Sequence, residues 1–178
     1  MFVDCMRDKA RQMPTVDNPL AVASLRIWYC SYKTLESITV FRNLRTLVIA
    51  DFPDASLGPL GTLPNLQHLR ILHLPKIVDL GALAGLANLE TLSLEVLPSW
   101  DVSCKKTIVN SLEPIAQIAH LKHLSLLGVV PVDRSLASLE RCGSLVSAQL
   151  HGYPRKEADR FFAASGVLRA HPPSLQFD

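Results

Sequence analysis

Cys104 is followed by Lys105 and Lys106, and six histidines are spread along the chain. These are the side chains here best suited to nucleophilic or metal chemistry. A thiol beside two ammonium groups ionises more readily, because the cations stabilise its thiolate. Nucleophilic catalysis also needs a base to take the proton, and no assignable base accompanies Cys104. The histidines are poorly placed as ligands. His120 and His123 straddle a turn into an extended segment. His68 and His123 hold equivalent places in segments two apart, roughly 10 Å at the spacing of parallel strands. A zinc ion holds each ligand at about 2 Å, so the pair does not share one easily. No Gly-rich phosphate loop, His-Glu-x-x-His or Gly-x-Ser-x-Gly occurs. The expectation is a chain with no catalytic residue, no metal and no cofactor, with an enzyme using Cys104 as the outside alternative.

A second chemistry is recognition. Trp28, Arg26, Arg70 and Trp100 are of the types that dominate protein contacts, since they bury much area and still offer a polar handle. Whether they act together depends on the elements that carry them.

Those elements repeat. The rows VASLRIWYC, LRTLVIADF, LQHLRILHL, LETLSLEVL, LKHLSLLGV and LVSAQLHGY begin at Val22, Leu44, Leu66, Leu89, Leu121 and Leu145. Their period is 22 to 24 residues, except for one unit of 32. Five rows are led in by a different pattern: LESITVFRN, LGPLGTLPN, LGALAGLAN, LEPIAQIAH and LASLERCGS. Alternation in the rows puts apolar side chains on one face of a short strand. The period of three in the lead-ins matches a 3₁₀-like turn, whose i and i+3 side chains eclipse. One such unit cannot bury its own leucines, whereas stacked units share one core.

Over roughly residues 16–153 the chain resembles the leucine-rich repeat family. The lead-in LAGLANLETLSL is similar to the 22-residue subclass of a protein-phosphatase regulatory subunit and of bacterial internalins. Asn43, Asn65 and Asn88 sit just before the strand, as Asn often does there. The resemblance implies an α/β fold: a right-handed solenoid with a parallel concave sheet of about six strands and short convex 3₁₀ segments. One column departs from the family. Its ninth position often holds Asn or Cys, but here reads Cys30, Phe52, Leu74, Leu97, Val129 and Tyr153. Without an asparagine ladder in that column, the turn backbone must find other partners.

Arrays of this kind need covered ends. Residues 1–21 are expected to be an N-terminal cap, 22–153 the repeats, and 154–178 a capping helix and tail. Phe2, Met6, Ala10 and Met13 are spaced for an amphipathic helix over 2–13, ended by Pro14. PRKEADRFFAASG suits a helix from about Pro154 to Ser165, with Phe161 and Phe162 closing the last row. The tail is expected to be irregular beyond Ala170. The long unit carries its extra residues within 98–111, in a loop beside the strands, where Trp100 and Lys105 have an anchor's composition.

Counting outward positions along each row gives three columns on the concave face. Arg26, Trp28, Arg70, Leu72, Glu95, Leu127 and His151 stand in two of them. With Trp100 and Lys105 from the loop, they form the expected partner-binding set. Composition narrows the partner. The net charge of +2 and the absence of a Lys/Arg block disfavour nucleic acid. No apolar run approaches the roughly 18 residues that span a bilayer, and MFVDCMRDKARQM lacks the unbroken apolar core of a secretory signal. Cys5, Cys30, Cys104 and Cys142 form no Cys-x-x-Cys pair, which suits free thiols in a reducing compartment. The expectation is a monomeric, cytoplasmic, non-enzymatic module that binds a protein as a scaffold, inhibitor or immunity-like protein. The composition has a bacterial character. The alternative is an effector, leaving the cell without a recognisable signal to act on host proteins.

Overall fold

The structure is a computed structural model that describes residues 1–103, 105–175 and 177; the side chains of Asp101 and Val102 are also outside the description. Cys104, the expected site of any enzymatic alternative, therefore lies outside the described residues. In chain order the strands are β1 Phe2–Met6, β2 Ser24–Trp28, β3 Thr46–Ala50, β4 His68–Leu72, β5 Thr91–Glu95, β6 Thr107–Val109, β7 His123–Leu127, β8 Val129–Pro131, β9 Ser147–His151 and β10 Leu168–Arg169. The helices are α1 Pro98–Val102, α2 Glu113–Ala116 and α3 Arg155–Ser165.

The six repeat rows become β2, β3, β4, β5, β7 and β9, all parallel and adjacent. A further strand at each end, β1 and β10, makes the sheet eight-stranded, beyond the six that the rows supply. The register is unslipped: Leu25, Leu47, Leu69, Leu92 and Leu124 lie side by side, as do Ile27, Ile49, Ile71, Leu94 and Leu126. The opposite wall of the core comes from the convex turns, through Ile38, Leu60, Leu83, Ile115 and Leu139. All of these are essentially inaccessible to solvent. Full burial of such a side chain stabilises by about 1.5–3 kcal/mol relative to exposure, and each row obtains it only from its neighbours.

Two corners per unit join these walls, and they are made differently. Before the strand, Asn43 Nδ2 donates to the Leu20 carbonyl, Asn65 Nδ2 to Arg42 and Asn88 Nδ2 to Pro64, each at 2.8–2.9 Å. Ser144 Oγ donates likewise to the Leu121 carbonyl. These side chains satisfy carbonyls of the preceding unit that the turn leaves bare. The asparagine ladder thus runs before the strands, and the ninth column has none.

After the strand, backbone carries the corner. Arg7, Tyr29, Asp51, His73, Gly128 and Gly152, each the first residue beyond its strand, all have positive φ between 50° and 96°. The amides of Arg7, Tyr29, Asp51, His73 and Gly128 donate across to the next row, as in Tyr29 to Ala50, Asp51 to Leu72 and His73 to Glu95. Val96 occupies the same column without a positive φ, since a β-branched side chain resists that region. Here the chain runs on into α1 and the insert. The insert is not a plain loop: β6 pairs with β8 in a second, two-stranded sheet. Lys106 Nζ donates to the Gly152 carbonyl at 2.6 Å.

The ends are covered in two ways. Residues 2–6 form a strand where the four-residue spacing suggested a helix. Val3 and Cys5 face inward and Phe2, Asp4 and Met6 outward, so the pattern that matters is the alternation. An extended segment gains ladder bonds from the open edge of β2, which a helix would leave unpaired. At the other end α3 lays Phe161 into the core, and Gly166 ends it at φ 70°. Glu157 is hydrogen-bonded by the Arg160 guanidinium and also accepts the Leu136 amide at 2.7 Å, so its pKa falls to about 2. Among the described residues no helix is long and apolar enough to cross a membrane.

Gly128 is the tightest of these corners. A Cβ there would lie 2.4 Å from Val96 Cγ2, at a φ of +74°. Gly128→Ala is therefore expected to destabilise the chain by about 2–4 kcal/mol, combining left-handed strain with overpacking. Asp51→Gly, in the same column, relieves strain instead and should lose no stability. Urea unfolding of both variants checks the pair; equal effects would show that the corner geometry is wrong.

Candidate functional site

The outward positions of the strands line a concave face whose chemistry changes from one end to the other. At the β1 end the Arg26 guanidinium is held by both carboxylate oxygens of Asp4. That hydrogen-bonded pairing lowers the Asp4 pKa and raises that of Arg26. At the centre Arg70 donates two bonds of 3.0 Å to Glu95, and Ser93 Oγ adds a third at 2.7 Å. The Arg70 side chain stays 42% exposed while that of Glu95 is only 12%. Each cation has its own anion, so the face presents polar groups with little net charge.

Arg26, Trp28, Arg70, Glu95 and Leu127 line a single cavity of about 660 Å³ with Ser125 and Gln149. The structure thus brings together five members of the expected set, from four different strands. Leu72 is only 9% exposed. Neighbouring strands about 4.8 Å apart crowd their outward side chains on a concave surface, so an outward leucine there is largely covered. His151 lies exposed at the last full row, outside that cavity.

Trp100 and Lys105 are elsewhere. The Trp100 ring packs edge-on against His73 at 4.7 Å, and the Lys105 ammonium stands 6.0 Å from the same ring. His73 is a corner residue just past β4. Trp100 therefore folds back along the strand-end edge and does not enter the concave cavity. Glu90 is paired with Lys122 at 2.9 Å and borders a second concave recess of about 450 Å³ with His68 and His123. His123 Nδ1 lies 2.9 Å from Ser147 Oγ. Among the described residues no group of three His, Cys, Asp or Glu side chains comes together as a metal site would require.

The rows of the sequence did not reveal three contributors. Asp4 and Phe2 are on a strand read as a helix. The third is the tail: His171, Pro172, Pro173, Ser174, Leu175 and Phe177 form the far wall of the larger cavity. An irregular stretch carries no periodicity to say where it lies. The one available signal was Leu175 and Phe177, two apolar residues without a core to enter.

The sequence matches no protein-family model and no curated protein. Solved structures do resemble it. An internalin, InlF, from Listeria monocytogenes aligns with 84% of this chain at 17% identity and a TM-score of 0.52, and the match spans 48% of that chain, about half its length. Internalin C2 from the same organism aligns with 76% of this chain and 66% of its own, at 22% identity and a TM-score of 0.48. With the stacked rows and the parallel sheet, the fold is that of a leucine-rich repeat solenoid.

A half-buried histidine, His68, and a buried one, His73, make the chain's stability depend on pH. Burial lowers the pKa of His68 and of His73, and Nδ1 of each lacks a hydrogen-bond partner among the described residues. Both are held neutral in the folded chain. Their contribution is fully present above the ordinary histidine pKa of about 6.5 and is lost as pH falls through the lowered folded value. Stability should therefore decline below pH ~6.5, before the carboxylates titrate. Replacing both by Gln should flatten that decline in urea titrations between pH 7.5 and 5. An unchanged slope would mean that neither histidine is kept neutral.

Proposed function

We propose that this chain is a non-enzymatic module that binds a partner protein through its concave face, from Arg26 and Trp28 to Leu127. One observation carries the reading: side chains from β2, β4, β5 and β7 converge on one cavity of about 660 Å³. They include an indole, a paired guanidinium and a leucine, which is the composition of an interaction hot spot. The leucine-rich repeat fold supports a role in protein binding, since a curved parallel sheet offers a broad continuous surface. The chain acts as a monomer in the cytoplasm, a compartment supported by the free thiols Cys5, Cys30 and Cys142. Its partner decides whether the role is that of a scaffold, an inhibitor or an immunity-like protein. Trp100 and Lys105 are a second contact area along the strand-end edge, used by partners broad enough to pass the rim.

Affinity capture followed by binding measurements on the recovered partner tests this. Trp28→Ala should weaken binding by roughly 1–3 kcal/mol. Glu36→Lys, exposed on the convex turn of residues 36–40, should leave it unchanged. The reverse pattern would move the working surface to the convex side.

A further inference from the structure

We infer that the concave face takes an extended, proline-containing peptide segment with an aromatic side chain, and that the chain's own tail holds that place in the resting state. This rests on the concave face being the protein-binding surface.

The tail crosses the whole face. The Ala170 amide makes the last sheet contact, 3.3 Å from the Ala148 carbonyl of β9. The Phe177 ring lies 4.8 Å from the Phe2 ring on β1, at the opposite end of the sheet. The seven peptide steps between Ala170 and Phe177 reach about 25 Å when fully extended. Seven strand intervals measure about 34 Å along the sheet. The tail therefore runs nearly straight, as a chord above the concave floor, and the two recesses are the spaces beneath it. Pro172 and Pro173 fix this extended form, because their rings lock φ and they have no N–H to bond elsewhere.

Its attachment is aromatic and local. Phe177 packs on Phe2 and lies 5.7 Å from the Arg26 guanidinium, which Asp4 holds in place. Phe2, Arg26 and Asp4 thus form a preset seat for one aromatic ring. Residues 171–175 and 177 make no hydrogen bond to the sheet among the described residues, and the buried core ends at Val167. A strap held, among its described residues, at one aromatic seat is displaceable by a segment of the same chemistry. Tethering raises the tail's effective concentration to the order of millimolar, so a free competitor meets a closed face until its affinity overcomes that value.

The test uses the full chain and a fluorescein-labelled peptide with the sequence HPPSLQFD of residues 171–178. Fluorescence anisotropy compares the unaltered chain with a Leu175→Ser, Phe177→Ser variant, whose tail has lost its seat. The variant should bind the peptide at least roughly tenfold more tightly than the unaltered chain, where the tethered tail competes. A peptide with Ser in place of its Phe should bind neither. In a Trp100→Phe background, Trp28 emission should shift to the red when the tail is released. Equal peptide binding by the two chains, no binding to the variant, or an unmoved Trp28 emission would overturn the inference. The reading of the concave face would still stand if a captured partner remained sensitive to Trp28→Ala, so the two failures are distinguishable.

Discussion

A slip of one residue in any strand would turn its leucines outward and its arginines inward, because strand side chains alternate. The whole molecule depends on that slip being forbidden. Each row finds most of its apolar contacts in the rows above and below. A shifted row would expose its own leucines and also uncover those of two neighbours. The corners enforce the same register from the backbone: side chains of Asn43, Asn65 and Asn88 before the strands, and amides of left-handed residues after them. Either device is worth only about 1 kcal/mol per bond, but both recur along the array and fail together if one row moves.

The concave surface is a by-product of that constraint put to use. With the leucines committed inward, the alternate positions are free to vary, and they carry Arg26, Trp28, Arg70, Glu95 and Leu127. Charge is balanced locally, since Asp4 answers Arg26 and Glu95 answers Arg70. Such pairing fixes side-chain geometry more than it adds stability, because partly exposed ion pairs contribute little net energy. The result is a preset polar and aromatic surface rather than a field that attracts one sign of charge.

The repeats were legible in the sequence because their signal is periodic and recurs in register. The concave columns followed from counting, and Arg26, Trp28, Arg70, Glu95 and Leu127 do share a cavity. Residues 2–6 were not legible: Phe2 and Met6 fit a helical spacing as well as an alternation, and only the open edge of β2 decides between them. Trp100 has the composition of an anchor but packs on His73, a contact set by where the insert lies and by no local pattern. The tail was invisible for the same reason. Its place depends on the curvature of the sheet, a property of all the rows at once.

Amide hydrogen exchange, resolved by residue, tests the central claim most directly. If one register-locked sheet organises the chain, the amides of Leu47, Leu69, Leu92 and Leu124 exchange slowly and at similar rates, since opening one row opens its neighbours. Those of Ser174 and Leu175 exchange quickly, because the tail lies over the sheet without joining its ladder. Protection confined to one half of the array, or slow exchange in the tail, would contradict the account.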